Sequence, residues 1–198
     1  MKQSFTITPY QKSILLGSLL GDAYLYSKGN IQLEQSIHHK EYLFWLFSQL
    51  KSLTTGKSPS LTIPFEKRNG REYQSYRFYT RNFFREWRTQ FYEQHGMKIL
   101  PLDFHNWLDS TSLGIWFLDD GGRSSSVKFG VFLTVDNYTL QDISRIQEAF
   151  FNLFGMETRL YSSGKTSKGL VQKRLVITGN NYKIFYKLVA PLVTQYGS

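Results

Sequence analysis

The chain has no cysteine, few prolines and histidines, and no apolar run of eighteen residues. Among its 198 residues, 5 are Pro, 4 are His and none is Cys. Without cysteine, neither a disulfide nor a thiolate metal site can form, and the histidines are not spaced as metal ligands. The apolar runs are too short for a transmembrane helix. Disulfide scaffolds, thiolate metal sites and membrane-spanning proteins are therefore excluded.

Positive charge is in excess. Lys and Arg number 24 against 15 Asp and Glu, which gives a net charge of +9 and a pI of about 9.6. This balance indicates a polyanionic partner, either a nucleic acid or an acidic membrane surface. The length suits one domain or two fused halves. Because a capped helix is predicted almost at the N-terminus, we expect no signal peptide.

Two nine-residue stretches share one plan. They are Leu15–Ala23 (LLGSLLGDA) and Leu113–Gly121 (LGIWFLDDG). When they are aligned, Asp22 falls on Asp120, and each acid ends an apolar run. A repeated unit of this kind indicates a pseudo-twofold protein whose two carboxylates meet at one centre.

Both stretches are predicted to be helices. Thr8-Pro9-Tyr10-Gln11 combines a hydroxyl N-cap, a proline at the first helical position and a capping-box glutamine. Gly17 and Gly21 lie on one side of the first helix and would let another backbone approach closely. The second helix begins at Asp109-Ser110 and has Gly114 as its small residue.

The predicted position of the acids is electrostatically unfavourable. A helix C-terminus carries partial negative charge, and two carboxylates there repel each other unless a cation lies between them. Oxygen ligands of this kind suit Mg²⁺, and the candidate ligands are Asp22, Asp120, Gly21 and Asp119. The alternative is that Asp-Gly only ends a helix in a turn. The repetition of the same plan favours the cation site.

The remaining pattern predicts two similar halves, each in the order helix, hairpin, helix, hairpin, helix. We expect an N-terminal half at residues 1–96, a linker at 97–109 and a C-terminal half at 110–198. The further predicted helices are His39–Leu53, Asn82–His95 (closed by Gly96), Thr139–Phe154 (closed by Gly155) and one from Asn180 into Pro191. The predicted hairpins are Tyr24–Ser36, Ser60–Thr80, Val127–Asp136 and Thr158–Thr178.

LLGSLLGDA and SLGIWFLDDGG resemble the two signature motifs of the LAGLIDADG homing endonucleases, in the single-chain, two-motif form. The likeness extends to GNIQLEQSIHHKEYLFWLF after the first motif and to Lys98-Ile-Leu-Pro101 before the second. It implies an α+β fold of two αββαββα halves whose antiparallel sheets form a DNA-binding saddle. It also implies a monomer that uses Mg²⁺ to cut both strands of a long duplex target, encoded in an organelle or a bacterium.

The resemblance further implies individual roles. Asp22 and Asp120 would bind Mg²⁺, and Lys98 matches the active-site lysine of the family. Gln35 lies at the family position for a polar residue that orients solvent, and Asp136 is its approximate counterpart. Many members carry a second lysine where Tyr196 or Gly197 stands here. If the native chain ends at Ser198, we expect two unequal half-sites and a nicked intermediate.

More than half of the basic residues fall on the predicted hairpins or their flanks. A two-stranded ribbon fits the major groove of DNA, where such side chains reach base edges. The alternative is that an antiparallel sheet exposes a polar face in any case; basic excess on several hairpins favours DNA contact. The candidate DNA-binding residues are Lys28, Gln32, Glu34, Lys67, Arg68, Arg71, Gln74, Arg77, Arg123, Lys128, Arg159, Lys165, Lys168, Gln172 and Arg174.

Two other functions stay open. Some proteins of the resembled family are maturases, which bind intron RNA and help it splice, and many of these keep both motifs. A DNA-binding protein without activity is the other alternative, but such a protein usually loses the acids that this chain retains. The intact acids and the lack of large appended segments favour the endonuclease.

Overall fold

A computed structural model describes residues 6–63, 65–66, 71–93, 95–124, 130–165 and 171–197. Its helices are α1 Pro9–Leu20, α2 Lys40–Leu50, α3 Arg88–Phe91, α4 Ser110–Asp120, α5 Leu140–Phe154 and α6 Gly179–Tyr196. Its strands are β1 Tyr24–Leu25, β2 Ile31–Ser36, β3 Ser60–Thr62, β4 Phe65–Glu66, β5 Arg71–Glu72, β6 Ser75–Tyr79, β7 Gly121–Arg123, β8 Gly130–Thr134, β9 Arg159–Lys165 and β10 Val171–Thr178. None of the helices within these ranges is long and apolar enough to cross a membrane.

Eight of the ten strands in the described ranges form two four-stranded sheets with matching topology. The first has the order β1-β2-β6-β3 and the second has the order β7-β8-β10-β9. All their neighbouring strands are antiparallel. Each sheet thus places the second strand of its first hairpin beside the last strand of its second hairpin. This repetition confirms the predicted α+β fold with duplicated halves.

Helices α1 and α4 pack against each other at the centre, and glycine makes their contact possible. A Cβ atom at Gly17 would lie 2.5 Å from the carbonyl oxygen of Ser112 and 2.8 Å from Cβ of Ile115. These distances are far below a normal contact, so any side chain at Gly17 would push the helices apart. The predicted close approach along Gly17 and Gly21 is confirmed. Gly114 instead faces α6, where its Cβ would lie 2.9 Å from Leu192.

Helix starts follow the predicted capping signals. The Thr8 hydroxyl accepts a hydrogen bond from the Gln11 amide, and the Gln11 side chain accepts one from the Thr8 amide. Asp109 caps α4 in the same reciprocal way with Ser112. Asp109 also accepts a hydrogen bond from the Ser13 hydroxyl at 2.6 Å, which joins the starts of the two central helices. Local capping therefore fixes where α1 and α4 begin and holds them side by side.

The prediction of a helix at Asn82–His95 was wrong. A 3-10 turn at Arg85–Trp87 leads into the single turn of α3, and the chain becomes extended at Tyr92. Phe84 and Phe91 of this segment are nevertheless buried in the core. Gly96 has φ +82° but serves a turn between Tyr92 and Lys98, which pair as an isolated β-bridge. This turn, not a helix cap, is what needs the glycine.

Two other boundaries differ from the predictions. The first strand of the third hairpin is β7, which follows α4 directly because Gly121 already pairs with Leu133; the predicted start, Val127, lies outside the described residues. Helix α6 continues through Pro191 to Tyr196. The predicted second hairpin, Ser60–Thr80, also passes through residues outside the described ranges, between β4 and β5, which pair with each other.

The segment 97–109 is firmly packed. Leu100, Phe104 and Leu108 are buried within it. The Arg145 guanidinium, from α5, donates hydrogen bonds to the carbonyl oxygens of residues 100, 101 and 102 at 3.3, 2.6 and 2.9 Å. The segment therefore approaches α4 along one fixed path, and Lys98 is held at its start.

Candidate active site

Asp22 and Asp120 lie at the C-terminal ends of the paired helices α1 and α4. Helix α1 is capped at Gly21, so Asp22 follows its last turn, whereas Asp120 is the last residue of α4. The two carboxylates lie close enough for Asp22 to raise the pKa of Asp120. The expected meeting of the two acids is therefore present in the structure.

Crowding makes both acids harder to ionise. Burial, with a smaller contribution from the nearby Asp22 carboxylate, raises the pKa of Asp120 to about 7, although Lys98 opposes the shift. The pKa of Asp22 is also raised, by burial, with Lys98 again lowering it. The Asp22 side chain is nevertheless exposed. Its carboxyl group is therefore surrounded by many protein atoms without being sealed off from solvent. The buried Trp116 indole N–H has no hydrogen-bond partner of normal geometry among the described residues, but its nearness lowers the pKa of Asp120.

Lys98 lies between the acids and the end of α1. Its ammonium group donates a hydrogen bond to the carbonyl oxygen of Gly21 at 2.5 Å. Burial lowers the pKa of Lys98, while Asp120, Asp22 and Asp119 raise it. Its backbone is fixed by the bridge to Tyr92, whose hydroxyl accepts a hydrogen bond from the Leu25 amide. Lys98 thus joins the two acids as the sequence led us to expect.

Asp119 places a third carboxylate at the same centre. Its Oδ1 atom accepts hydrogen bonds from Nε2 of Gln35 at 3.0 Å and from the Tyr42 hydroxyl at 3.2 Å. Burial raises the pKa of Asp119 well above its usual value, and Asp22 and Asp120 add to the shift. Gln35 therefore lies beside the acids, on strand β2 of the first half.

Asp136, predicted as the counterpart of Gln35, has a different environment. Its Oδ1 atom accepts a hydrogen bond from the backbone amide of Lys173 at 2.5 Å. It lies near enough to Asp120 to contribute to the raised pKa of that group. Asp136 is thus close to the centre, but one of its oxygens is engaged by the neighbouring strand.

The exposed face of the first sheet carries a connected set of polar side chains. Glu34 lies opposite Arg77 on the paired strands β2 and β6, and their charged groups are 3.9 Å apart. Glu34 also accepts hydrogen bonds from Gln32, at 2.7 Å, and from Ser75. Arg77 donates through Nε to the Thr62 hydroxyl at 2.8 Å. The predicted DNA-contacting residues of this sheet therefore share one face, but their charges cancel.

The second sheet presents basic side chains without acidic partners on its described strands. Arg174 lies opposite Thr134 and Tyr161, and Val176 beside it lies opposite Arg159. The Arg174 guanidinium sits 4.3 Å from the centre of the Phe132 ring, a cation–π contact. Strands β7, β8, β9 and β10 contain no Asp or Glu. This sheet face is therefore the more positive of the two.

The other predicted DNA-binding residues are distributed around the sheets. Lys28 is exposed in the turn between β1 and β2, Gln74 is exposed just before β6, and Arg123 is exposed at the end of β7. Gln172 lies on β10, while Arg71 and Lys165 lie on β5 and β9. Lys67, Arg68, Lys128 and Lys168 lie outside the described residues.

The donor groups at this centre suit a hard cation whose remaining coordination positions would be filled by other oxygen atoms. Within the described ranges, no three Asp, Glu, His or Cys side chains converge as a ready metal cluster. Asp22 and Asp120 are nevertheless mutually repelling carboxylates at one centre, and the carbonyl oxygen of Gly21 lies at the same centre, where it accepts a hydrogen bond from Lys98. Oxygen ligands with spare positions are what Mg²⁺ uses when it binds together with a phosphate.

Some residues at this centre were not identified from the sequence. Tyr42 is buried in the apolar stripe of α2, but its hydroxyl also reaches Asp119. Tyr138 is buried and donates a hydrogen bond to the carbonyl oxygen of Leu20 at 3.2 Å. Ser18 is buried on α1 and lines a small cleft with Asp22. A tyrosine in an apolar stripe is a usable signal, because a buried hydroxyl needs a partner.

The internally duplicated fold, with two acids joined at the ends of its central helices, corresponds to a known class of protein. It is similar to the structure of the homing endonuclease I-WcaI bound to its DNA recognition sequence, with a TM-score of 0.79 and 22% sequence identity. The match covers 96% of this chain and 84% of that one. The model of the LAGLIDADG DNA endonuclease family matches residues 12–185, and the chain belongs to this family. The resemblance of the two motifs is thereby confirmed.

Relatives within the family have two kinds of described function. The chain is 25% identical to the DNA endonuclease I-ChuI of Chlamydomonas applanata over 207 residues, which cover 96% of this chain and 93% of the relative. It is 26% identical to the cytochrome b mRNA maturase bI2 of Debaryomyces hansenii over 193 residues, covering 91% of this chain and 69% of the maturase. Family membership is therefore compatible with either function.

Proposed function

We propose that this chain is a site-specific endonuclease that hydrolyses one phosphodiester bond in each strand of a long duplex DNA target. The observation that carries this proposal is the centre formed by Asp22, Asp120 and Lys98 at the ends of α1 and α4. Two acids and one ammonium group at a pseudo-twofold centre suit a reaction performed once on each strand. Each half, residues 1–96 and 110–198 joined by 97–109, would serve one half-site.

Asp22 and Asp120 would hold the divalent cation, with Mg²⁺ as the proposed ion, and the carbonyl oxygens of Gly21 and Asp119 are further candidate ligands. The raised pKa of each acid supports this role, because a bound cation would stabilise the ionised carboxylates that burial disfavours. When bound, Mg²⁺ supplies Lewis acidity that makes water more acidic and neutralises charge on the leaving oxygen.

Protein groups around the acids have separate roles in the proposed reaction. The ammonium group of Lys98, fixed on the Gly21 carbonyl, would stabilise the charge that develops on the scissile phosphate. The amide of Gln35, held beside Asp22 and Asp119, would orient the attacking water. Asp136 would assist near Asp120 with the oxygen that Lys173 leaves available.

The two sheets would hold the duplex over this centre. Arg159 and Arg174 on the second sheet would contact phosphates or guanine edges, as arginine commonly does. On the first sheet, Glu34 and Arg77 are suited to base edges, because glutamate accepts from cytosine and arginine donates to guanine. The net charge of +9 supports association with the phosphate backbone.

A maturase is the second candidate function, and the similarity to the Debaryomyces hansenii maturase supports it. In that case the chain would bind its intron RNA and promote splicing. RNA binding does not need two carboxylates at one centre, so the close placement of Asp22 and Asp120 favours the endonuclease.

A cleavage selection would test the proposed function. Purified protein is incubated with a library of long random duplexes and Mg²⁺, and the ends of cut molecules are sequenced, with a matched EDTA reaction as control. We expect cuts at one family of sequences that disappear in EDTA. Uncut DNA, together with rescue of splicing of an intron RNA by the same preparation, would support the maturase instead.

A further inference from the structure

The residue before each motif acid differs between the two halves. It is Gly21 before Asp22 and Asp119 before Asp120. A Cβ atom at Gly21 would lie 2.5 Å from Cβ of Asp119 and 2.7 Å from its Oδ2 atom. The Asp119 side chain therefore fills space that exists only because residue 21 is glycine. At the matching position of the first half, Gly21 has no side chain that could reach into the second half.

Asp119 belongs to the second motif helix, but both of its side-chain donors belong to the first half. Gln35 reaches it from β2 at 3.0 Å, and Tyr42 reaches it from α2 at 3.2 Å. An amide has one donating and one accepting end, and a carboxylate oxygen takes the donating end. The hydrogen bond to Asp119 therefore turns the accepting Oε1 end of the Gln35 amide away from Asp119.

Gln35 is oriented within a small cleft next to a motif acid. The cleft has room for about one water molecule, and it is lined by Ser18, Asp22, Gln35 and Asp119 among others. The Ser18 hydroxyl is buried there and has no hydrogen-bond partner among the described residues. A water bound here would find two or more polar partners, as buried waters require. Fixing the Gln35 amide thus fixes the orientation of an acceptor on a residue that lines this cleft.

The second half is built differently at the corresponding place. Asp136, the approximate counterpart of Gln35, has Oδ1 engaged by the backbone amide of Lys173 at 2.5 Å. The residue of the first half that corresponds to Asp119 is Gly21, and glycine has no side chain that could orient Asp136. The cross-half contact therefore exists for Gln35 and has no mirror image at Asp136.

We propose that Asp119 is a positioning residue that orients the Gln35 amide for cleavage of the strand served by Asp22. The two strands would then depend unequally on Asp119. This inference rests on the proposed endonuclease function, and it concerns the side chain of Asp119, since its carbonyl oxygen is unchanged by substitution.

The test compares Asp119→Ala with Asp119→Asn on a duplex carrying a different label on each strand. Rates are measured with excess protein and saturating Mg²⁺, so that each strand is followed in a single turnover. We expect Asp119→Ala to slow one strand by about 10–100-fold, the usual effect of losing a group that orients an active-site residue. The other strand should change by less than about threefold. Asp119→Asn keeps an acceptor oxygen for Gln35 and Tyr42, and it should restore most of the lost rate.

A double-mutant cycle identifies Gln35 as the group through which Asp119 acts. Gln35→Ala should slow the same strand, and adding Asp119→Ala should cause little further loss, because the interaction is already absent. Additive losses, equal slowing of both strands, or an Asn variant as impaired as the Ala variant would each overturn the positioning role. Target affinity in Ca²⁺, measured for every variant, identifies misfolding. If Asp119→Ala misfolds, the effect of Gln35→Ala on each strand carries the test, and equal slowing of both strands then overturns the positioning role.

The outcome for the wild-type chain separates this inference from the proposed function. If wild-type protein cuts neither strand of any target, the endonuclease proposal is overturned and the positioning role with it. If wild-type protein cuts both strands and the Asp119 variants affect them equally, the endonuclease proposal stands and only the positioning role is overturned.

Discussion

The exposed faces of the two sheets differ in charge although their strand orders match. On the first, Glu34 neutralises Arg77 and is itself held by Gln32 and Ser75. On the second, Arg174 and Arg159 stand among strands without any acidic residue. The same topology thus supports a polar, charge-balanced face in one half and a basic face in the other. Duplication preserved the backbone, while the side chains that would meet DNA diverged.

The centre between the halves is also unequal. One half contributes Asp22, Gln35 and Tyr42, and the other contributes Asp120 with the additional carboxylate of Asp119. A fold twofold in outline therefore gives two acids in different electrostatic surroundings. The pKa of Asp120 reaches about 7, and several groups of both halves contribute to that value. We expect the two half-sites to respond differently to substitution wherever these contributions differ.

The largest expected effect tests whether the motif acids are equivalent despite these surroundings. Asp22→Asn and Asp120→Asn each remove one charge that would hold the cation, and metal-ion stabilisation of the transition state is worth several kcal/mol. We expect either variant to reduce double-strand cleavage by about a thousand-fold or more. Specific binding should be retained or become tighter, because a negative charge near phosphate is lost. Cleavage is followed on linear duplex, and affinity is measured in Ca²⁺.

Normal double-strand cutting by either variant would refute the assignment of that acid. A variant that still cuts one strand at the wild-type rate would show that each acid serves its own strand, which sharpens the contrast between the halves.

Lys98 offers the next largest effect, because its ammonium group is fixed on the first-half carbonyl of Gly21. Replacing Lys98 by Met removes a donor that would stabilise charge on one scissile phosphate, a loss of roughly 100–1,000-fold for comparable groups. We expect one strand to be slowed far more than the other, so that nicked circles accumulate from supercoiled plasmid. Lys12→Met is the matched control, because it removes an equal charge from α1 at a residue whose ammonium group lies over the ring of Trp107. Direct conversion to linear product by Lys98→Met would contradict a one-sided role.

Much of this fold follows from local signals in the sequence. The capping box at Thr8 predicts where α1 begins, and α4 is predicted to begin at Asp109-Ser110; both starts are confirmed. Gly17 predicts the close approach of the two helices, because glycine inside a helix is otherwise unfavourable. These features depend on residues a few positions apart, which is why they can be read without a structure.

Features set by distant contacts were missed. The aromatic spacing around Phe84 and Phe91 is helical, but Tyr92 leaves the helix to pair with Lys98, and the pattern cannot show that bridge. The motif alignment places Asp119 beside Asp120 but gives no hint that Gln35 and Tyr42 converge on it. Likewise, neutralisation of Arg77 by Glu34 depends on strand register. Sequence spacing identified the acids, whereas the groups that orient and balance them required the tertiary structure.

A smaller effect is expected on the free energy of unfolding, because the surroundings of Asp120 disfavour its ionised form. Its pKa is raised from 3.8 to about 7, so the folded protein binds this proton more tightly than the unfolded chain between those values. The resulting stability is complete below about pH 3.8 and is lost as pH rises through about 7. In EDTA, Asp120→Asn should therefore become more stable than the wild type above pH 7, by about 1–3 kcal/mol.

Denaturant unfolding at several pH values between 5 and 8 measures this difference. The advantage of Asp120→Asn should grow with pH, and added Mg²⁺ should stabilise the wild type more than the variant. A difference that does not change with pH would show that Asp120 is not the group responsible.

The smallest expected effect compares the two sheet faces by their salt dependence. The double variant Glu34→Gln/Arg77→Gln leaves the net charge unchanged and removes a pair that is already neutralised within the protein. The double variant Arg159→Gln/Arg174→Gln removes two charges without acidic neighbours on their strands. Because each neutralised phosphate contributes about 0.9 to the slope of log affinity against log salt, the second variant should flatten the slope by up to about 1.8. The first should leave the slope nearly unchanged while altering preference for particular base pairs. Equal slopes for the two variants would mean that both faces neutralise phosphates alike, and the charge difference between the halves would then have no consequence for binding.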